Sequence, residues 1–186
     1  MLPRMTKRRV RNLGGGLVLA AALLLAAPRA LAADDAKEAS QTIAQYKKTD
    51  PGLSKFFAKA AGYAVFPGVG KGGIGLGGAY GTGIVYQGGK TVGHTSLTQV
   101  TIGFQLGGQT YSEIIFFETK KALADFKAGD FAFSAQASAV ALSTGASSTA
   151  KYEGGVAVFT ATKRGLMVEA SVGGQKFSYE ASGAAK

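Results

Sequence analysis

Seven of the thirteen residues from Lys71 to Gly83 are glycine, and no other feature restricts so tightly what this chain can fold into. Such a stretch either cradles a phosphate or belongs to a sheet. Two matches to G-x-G-x-x-G occur, at Gly70, Gly72, Gly75 and at Gly73, Gly75, Gly78. A dinucleotide cradle, however, needs a helix opening on its last glycines, because the helix N-terminus supplies the amides and dipole that hold the pyrophosphate. Past Gly78 the chain reads Ala79-Tyr80-Gly81-Thr82-Gly83-Ile84-Val85-Tyr86, which is aromatic, β-branched and glycine-broken, a poor place to start a helix. Gly89-Lys90-Thr91 imitates the end of a Walker loop, yet position 84, where its first glycine belongs, is isoleucine. The sequence therefore argues against a nucleotide partner. Alternation across a strand would leave Gly73, Gly75 and Gly77 as a bare face, with Ile74 and Leu76 on the other side. Strand glycines are usually compensated by a bulge, a bend or the close approach of something else. The expectation is a strongly bent sheet with a covering element against its glycine face.

The first 32 residues read as an export signal. Arg4, Lys7, Arg8, Arg9 and Arg11 precede an apolar run from Leu13 to Ala27, followed by Pro28 and Ala30-Leu31-Ala32. The run falls short of the ~20 residues of a spanning helix, so cleavage after Ala32 is expected, with a periplasmic or secreted product. Arg8-Arg9 leaves the secretory and twin-arginine routes both open. The signal takes six of the 21 basic residues and none of the 11 acidic ones, so the mature chain carries fifteen against eleven, a net of +4. That excess is modest and carries no aromatic-interleaved basic stripe, which argues against a nucleic-acid partner. With no cysteine, stability has to come from packing.

The mature chain divides into a helix over 33–49, a domain over 50–180 and a tail over 181–186. Ala33 to Lys48 reads as a weakly amphipathic, mostly solvent-facing helix with Lys47 and Lys48 at its end. Asp50-Pro51 is an N-cap followed by a first-turn proline and opens a second helix through Ala61. There Leu53, Phe56, Phe57, Ala60 and Ala61 share one face, and Lys55 and Lys59 lie opposite. Strands are expected at Tyr63–Phe66 (ended by Pro67), Ile84–Gln87, from Lys90 after a Gly88-Gly89 turn, at Val100–Leu106, and at Ser112–Phe117 as a central strand. A helix beginning at Glu118-Thr119 carries Ala122, Leu123 and Phe126 on one side and ends at Gly129. Strands resume at Phe131–Ala141, Val156–Thr162, Leu166–Val172 and Lys176–Tyr179. Residues 142–153 read as a loop, and Lys163-Arg164-Gly165 and Gly173-Gly174 as turns. The fold class is α+β: a curved, mainly antiparallel, glycine-rich sheet of about eight strands with two N-terminal helices and one mid-chain helix packed on it.

Catalytic constellations are thin. His94 is the only histidine and there is no cysteine, which together exclude Cys-His chemistry and multi-histidine metal sites, and no G-x-S-x-G elbow accompanies His94. Glu113, Glu118, Asp125 and Asp130 offer carboxylates, but spacing does not place two of them around a substrate. Glu113, beside an apolar strand, is either buried and perturbed or the mark of a strand edge. The sequence supports no enzyme and requires no cofactor or metal.

Phe66-Pro67, Lys71, Gly77-Gly78-x-x-Gly81-x-Gly83, Gly88-Gly89-Lys90 with Gly93, and Thr101-x-Gly103-x-Gln105-x-Gly107 together resemble the signature of the SYLF domain family. Phe117-x-Thr119-x-x-Ala122-Leu123-x-x-Phe126 resembles its mid-chain helix, and Arg164-Gly165-Leu166-Met167 its late turn and strand. The resemblance runs from about Leu53 to Tyr179. It implies a non-catalytic lipid-binding domain: animal members bind phosphoinositides through an amphipathic N-terminal helix and a basic surface, and fungal members bind actin. Carried onto this chain, it makes Lys55 and Lys59 headgroup contacts, Phe56 and Phe57 the apolar side of the amphipathic element, and Lys71, Lys90, Lys163 and Arg164 further basic contacts.

The expected function is peripheral binding of anionic phospholipid or a membrane surface. The alternatives are a protein-interaction module, with actin-like or envelope partners, and an outer-membrane barrel. Leu53, Phe56 and Phe57 cannot at once insert in a membrane and fill a core, and for the free protein they are read as core.

Overall fold

The computed structural model describes residues 19–74, 76–102, 107–133, 139–164 and 172–183. The chain forms two compact units, Met1–Asp34 and Asp35–Lys186. Helix α1 spans Leu19–Thr49, so helical structure begins well before Ala33. No described helix is long and apolar enough to cross a membrane.

In the second unit a 3-10 turn, Pro51–Leu53, leads into α2, Ser54–Lys59. Strands β1 (Gly62–Ile74), β2 (Leu76–Gln87) and β3 (Lys90–Ile102) come next as a meander, and β4 (Gly107–Phe117) returns to pair on the other side of β1. Then come α3 (Lys120–Ala128), β5 (Val140–Ala141), α4 (Ala146–Thr149), β6 (Val156–Arg164) and β7 (Gln175–Ala181). The strands form one open sheet in the order β5-β6-β4-β1-β2-β3-β7. Every pairing is antiparallel except β5 with β6.

The glycine run is sheet, the end of β1 and the first half of β2, folded back on itself in register from Gly68↔Thr82 to Ile74↔Leu76. The turn at Gly88 and Gly89 has φ of 58° and 76°, the left-handed backbone that tight hairpins need and glycine supplies. Pro67 does not end the first strand. It sits where the register of β1 shifts against both β2 and β4, and a bulge accommodates a residue that cannot donate to the ladder. Val100 lies inside β3, which runs on to Ile102, and residues 103–106 of the expected Val100–Leu106 strand lie outside the described residues. Lys163 and Arg164 lie inside β6, not in a turn, and residues 142–153 contain the short helix α4. The expected strand at Leu166–Val172 falls almost wholly outside the described residues; of Phe131–Ala141, residues 134–138 lie outside them and only Val140–Ala141 form a strand.

Both faces of the sheet are covered, by different elements. The inner face presents Ala64, Phe66, Val85, Leu97, Ile115, Phe117, Val158 and Phe177 to Leu123 and Phe126 of α3 and to Phe133. Thr119 caps α3 by accepting the N–H of Ala122 at 3.1 Å, and Gly129 ends it at φ 80°, so the helix is held at both termini. The outer face presents Val65, Ile84, Ile114, Phe116 and Phe159 to Leu53, Phe56, Ala39, Tyr46 and Ala146. Helix α1 is therefore less solvent-facing than its sequence suggests. Ala39, Thr42 and Tyr46 are buried, and the Tyr46 hydroxyl donates to the Ser112 carbonyl at 2.8 Å.

The sheet curls strongly. Gln175 on β7 reaches Glu113 on β4 at 3.0 Å although β1, β2 and β3 lie between them in the strand order. Glycines permit that curvature at specific places. A Cβ on Gly83 would stand 2.6 Å from the Val65 carbonyl and 2.8 Å from the Phe66 ring, so the neighbouring strand occupies that space. Over Gly68 the outer face is open, with nothing within 4 Å. At Gly83 the close approach thus comes from within the sheet, while Gly75 of the expected bare face lies outside the described residues.

Candidate functional site

The helix that carries four of the residues expected to meet a ligand is anchored through the cap of its leading turn, Asp50, which is 3% exposed. Its carboxylate accepts the N–H of Gly52 at 3.0 Å and that of Ser147 at 2.7 Å, which pins the entry to α2 against α4. Burial alone would raise the Asp50 carboxyl, but the backbone N–H and hydroxyl of Ser147 and the N–H of Gly52 outweigh it and hold the group below its ordinary value.

From that anchor α2 aims its two phenylalanines at the sheet. Phe56, 6% exposed, packs its ring 5.5 Å from Phe116, 5.5 Å from Tyr152 and 5.3 Å from Phe159. Phe57 is half-buried and stands edge-on to Tyr63 and Phe116, at 5.0 and 4.8 Å. Leu53 is fully buried. Cations sit above this aromatic layer: Lys47 Nζ lies 4.5 Å from the centroid of Phe57, and Lys55 Nζ 5.6 Å from that of Phe56. Lys48, Lys55 and Lys59 are exposed. The one ion pair among the described residues joins Lys121 to Asp125, so these lysines are not neutralised by a bonded carboxylate there.

The eight expected contact residues do not form one surface. Lys55, Lys59, Phe56 and Phe57 lie on α2, next to the start of β1. Lys90 stands just after the β2–β3 turn, whose Gln87↔Lys90 pair is one step beyond Tyr86 and so at the same end of the sheet. Lys71 pairs with Gln109, and Arg164 with Thr110, at the opposite end. Nine residues of strand separate Gly62 from Lys71, roughly 30 Å at strand spacing. Lys71 is half-buried and Lys163 exposed. Lys163 lines a polar cleft of about 720 Å³ with Glu38, Gln41 and Gln45 of α1, well apart from the α2 lysines.

Sequence reasoning missed Tyr152, which completes the aromatic bed, and Ser147, which clamps Asp50, because both come from a segment read as loop. It also missed the partner of Glu113. Glu113 and Gln175 are fully buried, and the Gln175 amide donates to Glu113 Oε2 and, at 3.2 Å, to the Tyr111 hydroxyl. Burial pushes the Glu113 carboxyl up to about 8, against the lowering effect of the Gln175 bond. Burial likewise raises the Tyr111 and Tyr46 phenols. Among the described residues no second carboxylate is bonded into this network. No group of three or more metal-ligating side chains occurs among the described residues.

A small α+β domain with a curled sheet, both faces packed, and a cationic helical end over an aromatic bed defines a binding module. The family model described as "Las17-binding protein actin regulator" matches residues 98–185. Beta cell expansion factor A of Aeromonas veronii is 32% identical over 129 residues, covering 68% of this chain and 49% of that protein. The chain thus spans about half the length of the curated relative it matches. It belongs to the SYLF domain family, a family of lipid- and actin-binding modules.

Proposed function

We propose that this chain is an exported, non-catalytic SYLF domain that docks on anionic phospholipid surfaces through Lys47, Lys48, Lys55 and Lys59. The observation that carries the reading is the α2 geometry: four lysines at one end of the domain, two of them seated on phenylalanine rings that the core holds fixed. Each contributes about 1 kcal/mol at an anionic surface, roughly 4 together. Phe56 serves as the bed of the site and not as a membrane wedge, because withdrawing it would dismantle three ring contacts. Lys90 extends the same end, and Lys71, Lys163 and Arg164 stand apart from it.

Co-sedimentation of the mature chain with anionic and neutral vesicles at two salt concentrations tests this. Pelleting is expected with anionic vesicles alone, weakened by salt and by Lys55→Glu/Lys59→Glu. Equal, negligible pelleting in every arm rejects it. A protein ligand is the second reading, favoured by the family description, which names a Las17-binding actin regulator; direct binding of the mature chain to actin filaments without vesicles would favour it. We place the protein in the periplasm or outside the cell, with cleavage after Ala32, and N-terminal sequencing of the exported product checks both.

A further inference from the structure

We propose that Glu113, buried and joined to Gln175 across the inner face, is a pH-released latch: β7 stays closed against β4 while the carboxyl keeps its proton, and swings away once a charge forms that the interior has to hydrate. The geometry gives the contact this role. Among the described residues β7 pairs along its length with β3 alone, apart from a single bridge between Ala132 and Lys176. Its position over the interior therefore depends on what its inward side chains reach. Those are Gln175, which spans to β4, Phe177, which packs on Phe66, Phe126, Phe131 and Phe133, and the half-buried Tyr179, which packs on the same core.

The latch is poorly satisfied on its inner side. Glu113 Oε1, Gln175 Oε1, Gln99 Oε1 and Thr160 Oγ1 are buried with no hydrogen-bond partner among the described residues. They form one patch: Thr160 is the cross-strand neighbour of Glu113, and Gln99 that of Gln175. Among the described side chains, a carboxylate formed here would have one amide donor and no cation against it; Arg164 of β6 pairs with Thr110, three residues along β4 from Glu113. Its own strand contributes the Tyr111 phenol. Thr160 and Val158 face it from β6, Gln175 and Phe177 from β7, Leu97 and Gln99 from β3, and Phe66 and Val69 from β1. Lys71 of β1 is at the Gln109 position, four residues along β4 from Glu113, about 13 Å at strand spacing. Helix α3 turns Leu123 and Phe126 inward, while its Lys127 bonds Gln87. On β7 the Tyr179 phenol is spent on the Val92 carbonyl, and on the far side of β4 the Tyr46 phenol of α1 is bonded to Ser112. Ionisation therefore leaves a buried charge that the closed arrangement cannot compensate and that water can.

Linkage sets the direction. Burial raises the closed-state carboxyl, so closure is fully favoured below the ordinary carboxylate range and weakens until pH passes about 8. Hydrogen exchange on the mature chain from pH 5 to pH 9, with intrinsic rates divided out, is the test. Protection of the β7 amides is expected to fall about tenfold per pH unit up to about 8 and then level, while protection in β1 and β4 falls less. Glu113→Gln, which keeps an acceptor for Gln175, should flatten the β7 profile. Should that variant fail to fold, Gln175→Leu should give weak β7 protection at every pH without the step. A flat wild-type profile, or a step that survives either substitution, overturns the latch.

Discussion

Replacing Phe56 by alanine separates the two roles its position allows. The ring is 6% exposed and meets Phe116, Tyr152 and Phe159 at centroid distances of 5.5, 5.5 and 5.3 Å. Truncation forfeits about 1.5–3 kcal/mol of burial. A cavity term of about 2 kcal/mol is added if the neighbours relax only in part. The sum, about 3–5 kcal/mol, is the usual range for a core phenylalanine, and in a domain of this size it lowers the melting temperature by roughly 6–20 °C. Urea unfolding of the mature wild type and variant, followed by far-UV circular dichroism, measures it. Lys55→Glu/Lys59→Glu in the same series should stay within about 0.5 kcal/mol per site, since both lysines are exposed. A Phe56→Ala cost below about 1 kcal/mol would refute the reasoning, because it would mean that the ring is not part of the core and is free to leave α2 for a membrane. The converse matters for interpreting binding data: lost vesicle binding in an unfolded Phe56→Ala protein says nothing about insertion.

The sheet and the helix anchor each give a further expected outcome. Gly83→Ala should cost about 1–3 kcal/mol through overpacking against the Val65 carbonyl and Phe66, whereas Gly68→Ala, facing open space, should be neutral or gain up to about 1 kcal/mol; parallel thermal melts compare them. Asp50, held below its ordinary value by the Ser147 and Gly52 hydrogen bonds against the opposing effect of burial, adds stability above the unfolded carboxylate range that is lost as pH falls through its lowered folded value. Asp50→Asn should therefore be less stable than wild type at pH 6, with the difference shrinking toward pH 2, as read from urea midpoints across that range.

Much of the fold was legible because its signals were local. The Asp50-Pro51 cap, the Gly88-Gly89 turn, the Thr119 to Gly129 helix and the central β4 strand each rest on residues close together in the chain. The errors arose where distant strands decide. Pro67 reads as a terminator, yet strands on both sides of β1 tolerate it through a bulge that no local pattern announces. Lys163-Arg164-Gly165 has turn composition, but pairing with β4 carries β6 through Arg164. Tyr46 looked solvent-facing because its buried stripe, Ala39, Thr42 and Tyr46, contains small and hydroxyl-bearing residues that score as polar. For the candidate site, the amphipathic face of α2 was visible in its spacing. The division of the basic residues between opposite ends depends on register, and register is a property of paired strands.

The strand order also bears on when this domain can exist at all. Among the described residues the edge of β3 is completed by β7 alone, from Gly93↔Ala181 to Gln99↔Gln175, so one flank of the sheet waits for residues some eighty positions further along the chain. Such sequence-distant closure makes acquisition of structure slow and late. A chain still emerging from a ribosome or a translocation pore lacks its last strand and exposes the margin meant to receive it. An incomplete copy is thus a natural client for a holdase, and truncation before Gln175 should yield insoluble material instead of a smaller working domain.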